Sequence, residues 1–168
     1  GATPAEEAEE LARQGIQLFK ANEYREALAV FERSLKLHPI PVVAWNMARC
    51  FEELEQPEQA IGAFERFREL TPEPDRRQIA DTKIERLRKR YFGALSLTSD
   101  PAGAEVLIGD KSLGTTPLDA LPVRVGTHEL TVRLTGHESV ARVVQIGPGQ
   151  ALSLDLPLQL KPAANPPR

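Results

Sequence analysis

Residues 27–39 read ALAVFERSLKLHP and residues 60–72 read AIGAFERFRELTP. Set in register, Ala27, Phe31, Ser34 and Pro39 recur as Ala60, Phe64, Phe67 and Pro72, 33 residues later. The pattern extends upstream. Gly15 to Leu18 lies 12 residues before Ala27, and Ala48 to Phe51 lies 12 before Ala60. A small residue lets two helices approach, and a bulky one a turn later fills the space beside it. Pro39 and Pro72 stop the second helix of each unit. The spacing predicts helices over 5–21, 24–37, 42–55 and 57–70.

A helix–turn–helix unit with small–x–x–large, then Ala–x–x–x–Phe, then Pro, twice in phase over residues 8–72, resembles the tetratricopeptide repeat. Two such units leave an apolar face open at the end of the stack. Ile79, Ala80, Ile84, Leu87 and Tyr91 have helical spacing after Asp75, an expected N-cap. A fifth helix over 75–91 is therefore expected to cap the second unit.

Working outward, the composition changes abruptly. All nine aromatic residues lie at or before Phe92. Residues 1–92 carry 15 Lys/Arg and 17 Asp/Glu, against 6 and 7 in residues 93–168. Glycine runs the other way, with 3 before the boundary and 8 after it. The first part reads as charged-faced helices and the second as strands and turns, an α+β chain of two domains. Leu95 and Leu97, Val106 and Ile108, Leu130 to Leu134, and Leu152 to Leu158 show period-2 alternation. Gly147 to Gln150 is expected to be a hairpin turn between the last two runs, with Pro157 at an edge or strand end.

The ordered string Ser99-Asp-Pro-Ala-Gly-Ala-Glu-Val106, Gly109, Gly114, Thr116-Pro117-Leu118, Gly126-Thr127-His128 and Gly136-His137 resembles the PEGA domain. Ala102 replaces the Glu of the family's name, and His137 stands where Tyr commonly follows Gly. The resemblance implies a small all-β sandwich, here with an aliphatic core. Helical repeats followed by a PEGA domain are similar to the arrangement in cell-envelope proteins of myxobacteria. The division expected is 1–92 as two repeats plus a capping helix, 93–160 as the β domain, and 161–168 as a Pro-rich tail or linker. The location implied is the extracytoplasmic bacterial envelope, in the periplasm. Gly1 takes the place of an initiator Met and Gly-Ala-Thr-Pro is not a signal peptide, so a processed or trimmed chain is expected, continuing past Arg168.

Several chemistries lack their residues. The formal net charge is −3, which argues against nucleic acid as a partner. No run approaches the ~20 apolar residues of a membrane span. His38, His128 and His137 have no metal-ligand spacing, no G-x-S-x-G elbow surrounds a serine, and Gly147-Pro-Gly149 lacks the helix of a phosphate loop. Cys50 reads as a buried, inert thiol. No enzyme, cofactor or metal is therefore expected.

Binding is the remaining class. In the repeat family the first helix of each unit lines a groove, which by position would contain Ala12, Ile16, Phe19 and Lys20, then Val42, Trp45, Asn46, Arg49 and Glu52, then Arg76, Ile79, Lys83 and Arg86. Trp45 is either the centre of that groove or a packing residue between helices. Asn46 and Arg76 match two positions of a clamp for a terminal carboxylate. Ala80 and the first unit lack the others, so a full clamp is not expected. Arg76, Lys83, Arg86 and Arg90 fall on one flank of the fifth helix, either a site for an acidic partner or a solvated face. The reading is a non-enzymatic adaptor: a repeat groove recruits a protein or peptide and the PEGA domain tethers or spaces it. The alternative is cell-wall or polysaccharide binding by the β domain, weakened by its want of aromatic stacking faces.

Overall fold

The computed structural model describes residues 1–163. Five helices are followed by seven strands in two sheets, and the chain divides into two units, Gly1–Arg88 and Lys89–Arg168.

In the first unit α1 (Pro4–Lys20) pairs with α2 (Tyr24–Leu37), and α3 (Pro41–Glu53) pairs with α4 (Pro57–Leu70). Proline opens α1, α3 and α4, where its fixed φ suits the first turn and no N–H is needed. Thr3 caps α1 with a reciprocal box: its hydroxyl accepts from the Glu6 N–H, and the Glu6 carboxylate accepts from the Thr3 N–H, both at 3.2 Å. The two hairpin turns are copies of one another. Asn22 and Glu55, 33 residues apart, both take positive φ (63° and 54°). In each turn the N–H of the next residue reaches back five positions, Glu23 to the Leu18 carbonyl and Gln56 to the Phe51 carbonyl, both at 2.9 Å. This is the Schellman closure that satisfies the last carbonyls of a helix.

Gly15 shows why the small position is needed. A Cβ there would lie 2.3 Å from Cε1 of Phe31, which is wholly buried. Ser34, also buried, donates to the Ala8 carbonyl at 2.7 Å. The fifth helix, α5 (Pro74–Tyr91), buries Ala80, Ile84 and Leu87. Asp75 is not its cap, as the sequence reading expected. Pro74 takes the first position, so Asp75 sits in the first turn, where its charge faces the positive end of the helix.

The second unit contains β1 (Phe92–Asp100), β2 (Glu105–Ile108), β3 (Lys111–Thr115), β4 (Leu118–Arg124), β5 (Gly126–Arg133), β6 (Val140–Ile146) and β7 (Ala151–Pro157). One sheet has the order β4-β1-β7 and the other β3-β2-β5-β6. Leu95, Leu97, Val106, Val123, Leu130, Val132, Ile146 and Leu156 fill the space between them, so the core is aliphatic. Pro157 ends an edge strand.

The turn at Gly147 to Gln150 is not a hairpin, contrary to the sequence reading. It carries the chain from β6 in one sheet to β7 in the other. The physical reason lies in its hydrogen bonds. The Gly149 N–H donates to the Phe92 carbonyl at 2.9 Å, and the Gln150 carbonyl accepts from Ala94 at 2.8 Å. The turn is thus bound to β1, and β7 continues parallel to β1 over seven residue pairs, Ala94 with Ala151 through Asp100 with Pro157.

A single hydroxyl holds the loop between β1 and β2. Thr116 is buried, and its Oγ1 accepts from the N–H groups of Gly103 and Ala104, both at 3.0 Å. Ser99 Oγ donates to the Pro101 carbonyl at 2.8 Å, so the 2.6 Å contact between Ser99 and Thr116 uses the Thr116 proton. One donor and two acceptor sites of the Thr116 hydroxyl are therefore all satisfied.

Candidate functional site

The residues expected to line a repeat groove fall into two clusters. The first joins α1 and α3. The Arg49 guanidinium lies over the Phe19 ring, 5.0 Å from its centroid, and Tyr24 meets the same ring edge-on at 5.4 Å. Lys20 is exposed in the last turn of α1, near its carbonyl end. Phe19 and Arg49 are thus engaged with one another.

The second cluster joins α3, α4 and α5. The Trp45 ring stands edge-on to Phe64 and Phe67, with centroids 5.0 and 5.1 Å away. It is only half-buried. Its open side, with Phe67, Arg76 and Ile79, lines a cleft of about 200 Å³. Ile79 is 52% exposed. Arg76 is exposed and has no ion-pair partner among the described residues. Trp45 therefore does both things the sequence left open: it packs between helices and it presents a face to the cleft.

Other expected groove residues are placed differently. Ala12 is buried in the core between the first helices, so it lines nothing. Asn46 is half-buried on α3 and Val42 is 49% exposed. Glu52 is half-buried, and its Oε1 has no hydrogen-bond partner among the described residues. Lys83 and Arg86 lie on the flank of α5 that carries Arg76 but outside the cleft. The other side of α5 is tied back to α4: Asp81 pairs with Arg68 at 3.0 Å and Arg88 with Glu65 at 3.4 Å. The excess of cations on α5 is thereby partly answered by Glu65, while Asp81 is engaged elsewhere.

Phe67 is buried repeat core and lines the cleft as well, a role the sequence reading does not give it. The signal was present: Phe67 occupies the position of Ser34 in the preceding unit. Where Ser34 draws α1 and α2 together, a ring at this place braces Trp45 from below. Cys50 is wholly buried, and burial pushes its thiol up to about 11, with Arg49 opposing and Glu53 adding to the rise. Among the described residues no cluster of His, Cys, Asp and Glu could hold a metal ion. No helix among them is long and apolar enough to cross a membrane.

Stacked helical hairpins with an apolar cleft define an interaction module, and the second unit is a small β-sandwich. Comparison with known families puts names to both. Residues 43–73 match the tetratricopeptide repeat and residues 92–162 match the PEGA domain. The chain thus carries a tetratricopeptide repeat followed by a PEGA domain. The first family is one of protein-interaction repeats and the second of surface-associated, typically extracytoplasmic domains; neither is catalytic. A curated chloroplastic protein of Arabidopsis thaliana is 35% identical over 81 residues. That match takes in 46% of this chain, which spans only 24% of the relative's length.

Proposed function

We propose that the protein is an adaptor of the bacterial cell envelope. The repeat unit, residues 1–92, recruits a protein or peptide through the cleft formed by Trp45, Phe67, Arg76 and Ile79. The PEGA domain, residues 93–160, acts as its tether or spacer. The observation that carries the reading is an apolar cleft lined by an exposed Ile79 and by Arg76, which has no ion-pair partner among the described residues. Such a cleft suits an apolar side chain followed by a carboxylate, with the wider flank of Lys83 and Arg86 favouring an acidic continuation. Neither a cofactor nor a metal is required.

The test is affinity capture from the native organism with the full chain and two variants, Ile79→Ser and Arg76→Glu. Both positions are exposed, so helix content should stay unchanged by circular dichroism. Loss of one specific protein from both variants, with capture that weakens at high salt, is the expected result. Equal capture by parent and variants would remove the cleft from the function.

A further inference from the structure

A second cleft, in the β unit, has a different chemistry. It measures about 430 Å³ and is lined by Glu105, Thr115, Arg133, His137, Ser139 and Lys161, with Gly103 and Thr135 beside them. The register of the sheet builds its floor. Glu105 of β2 stands opposite Thr115 of β3 on one side and Arg133 of β5 on the other. The Arg133 guanidinium donates to the Glu105 carboxylate at 2.7 Å.

The chain end supplies the wall. Leu160 bridges to His137, the Lys161 N–H donates to the Gly136 carbonyl at 3.0 Å, and the Glu138 N–H donates to the Gln159 carbonyl at 2.7 Å. These bonds pin Lys161 beside the loop after β5. The sequence reading placed Lys161 at the start of a linker; residues 164–168 of that segment lie outside the described residues.

Charge and hydrogen-bonding capacity then define the ligand. Arg133 and Glu105 neutralise one another, so among the described residues Lys161 leaves the cleft with one net positive charge. His137 Nδ1 contacts the Thr135 carbonyl at 3.1 Å, which requires a proton on Nδ1 and makes Nε2 an acceptor in the neutral ring. The hydroxyls of Thr115 and Ser139 have no side-chain partner among the described residues. The cleft therefore offers one unmatched cation, one imidazole acceptor and two free hydroxyls. It contains no aromatic ring on which a neutral sugar could stack. Its volume is within the range of small-ligand sites.

We infer that this cleft binds a carboxylate-bearing sugar, such as a uronate unit of an acidic polysaccharide. The carboxylate is held by Lys161 and the outer face of the Arg133 fork, and the ring hydroxyls by His137, Ser139 and Thr115. This is a binding activity beyond the adaptor reading and does not depend on it. The turns at Gly109 to Gly114 and Gly126 to His128 have no part in it.

The experiment is NMR titration of the isotope-labelled full chain with a galacturonate trisaccharide, its neutral methyl ester and inorganic sulfate. The expected result is amide shifts confined to the cleft residues Gly103, Glu105, Thr115, Arg133, the Leu134 to Ser139 loop and Lys161. Affinity should fall about fivefold or more in Lys161→Gln, and the ester should bind at least as much more weakly. A Lys83→Glu/Arg86→Glu chain, altered only on α5, should bind like the parent. The inference is overturned by shifts elsewhere, by equal affinity for the ester, by unchanged affinity in Lys161→Gln, or by loss of binding in the α5 variant. Sulfate binding as tightly as the trisaccharide would likewise overturn it, since the hydroxyl contacts would then contribute nothing.

Discussion

Replacing Trp45 by alanine should lower the stability of the repeat unit as well as empty its cleft. The indole makes two edge-on contacts, with Phe64 at 5.0 Å and Phe67 at 5.1 Å. Each such contact contributes about 0.5–1.5 kcal/mol beyond the burial of area. Full burial of a tryptophan would set the loss on truncation at about 3–5 kcal/mol. Because the side chain is only half-buried, we expect about 2–4 kcal/mol. For a unit of this size that is a fall in midpoint temperature of about 10–25 °C. The measurement is far-UV circular dichroism, in which the five helices dominate, during thermal and urea unfolding of the full chain. Trp45→Phe keeps one ring in place and should recover at least half of the loss. A Trp45→Ala chain within about 0.5 kcal/mol of the parent would refute the packing argument and leave Trp45 as a cleft residue alone. The same arithmetic explains why Ile79 and Arg76, not Trp45, are the sites at which to test binding.

Thr116→Val removes the hydroxyl that accepts from Ala104, whose N–H is then buried without a partner; a loss of about 2–3 kcal/mol is expected by urea unfolding, with Thr116→Ser near the parent. Glu55 pays for a left-handed backbone that Asn22 adopts more cheaply in the equivalent turn, so Glu55→Gly or Glu55→Asn should stabilise by about 0.5–1 kcal/mol, seen as a higher midpoint. Cys50 should not react with a thiol reagent in the folded chain near neutral pH and should react fully once the chain is unfolded. Its thiol is raised to about 11 against an ordinary ~8.5, so folding stability should decline as pH rises between those values.

The helical part was legible because its signals are local and repeated. Ala27 to Pro39 and Ala60 to Pro72 fix four helices, and the apolar spacing from Ile79 to Leu87 fixes the fifth. The caps were less so: Thr3 with Glu6 is a capping box in plain view, and Asp75 was displaced by the stronger first-turn preference of Pro74. In the β part, alternation revealed β1, β2, β5 and β7 but not β3, β4 or β6. Lys111 to Thr115 is almost wholly exposed, and Val140 to Ile146 keeps only Ile146 fully buried, so neither shows a clean period of two. The pairing of β7 with β1 rests on bonds between residues about 57 apart, which no local pattern encodes. The Trp45 cleft was half legible, through the tryptophan and the α5 cations. The second cleft was not, because Glu105, Arg133 and Lys161 are ordinary surface residues until the sheet register and the chain end bring them together.

The parallel pairing of β1 and β7 has a mechanical consequence. These are the first and last strands of the domain, so chain enters at one end of the pair and leaves at the other. Tension applied through the two flanking segments would pull the strands past each other along their length. Every rung of the ladder from Ala94–Ala151 to Asp100–Pro157 then carries load together, instead of opening one at a time as at a peeled hairpin. A domain connected in this way resists extension more than its small aliphatic core alone would allow.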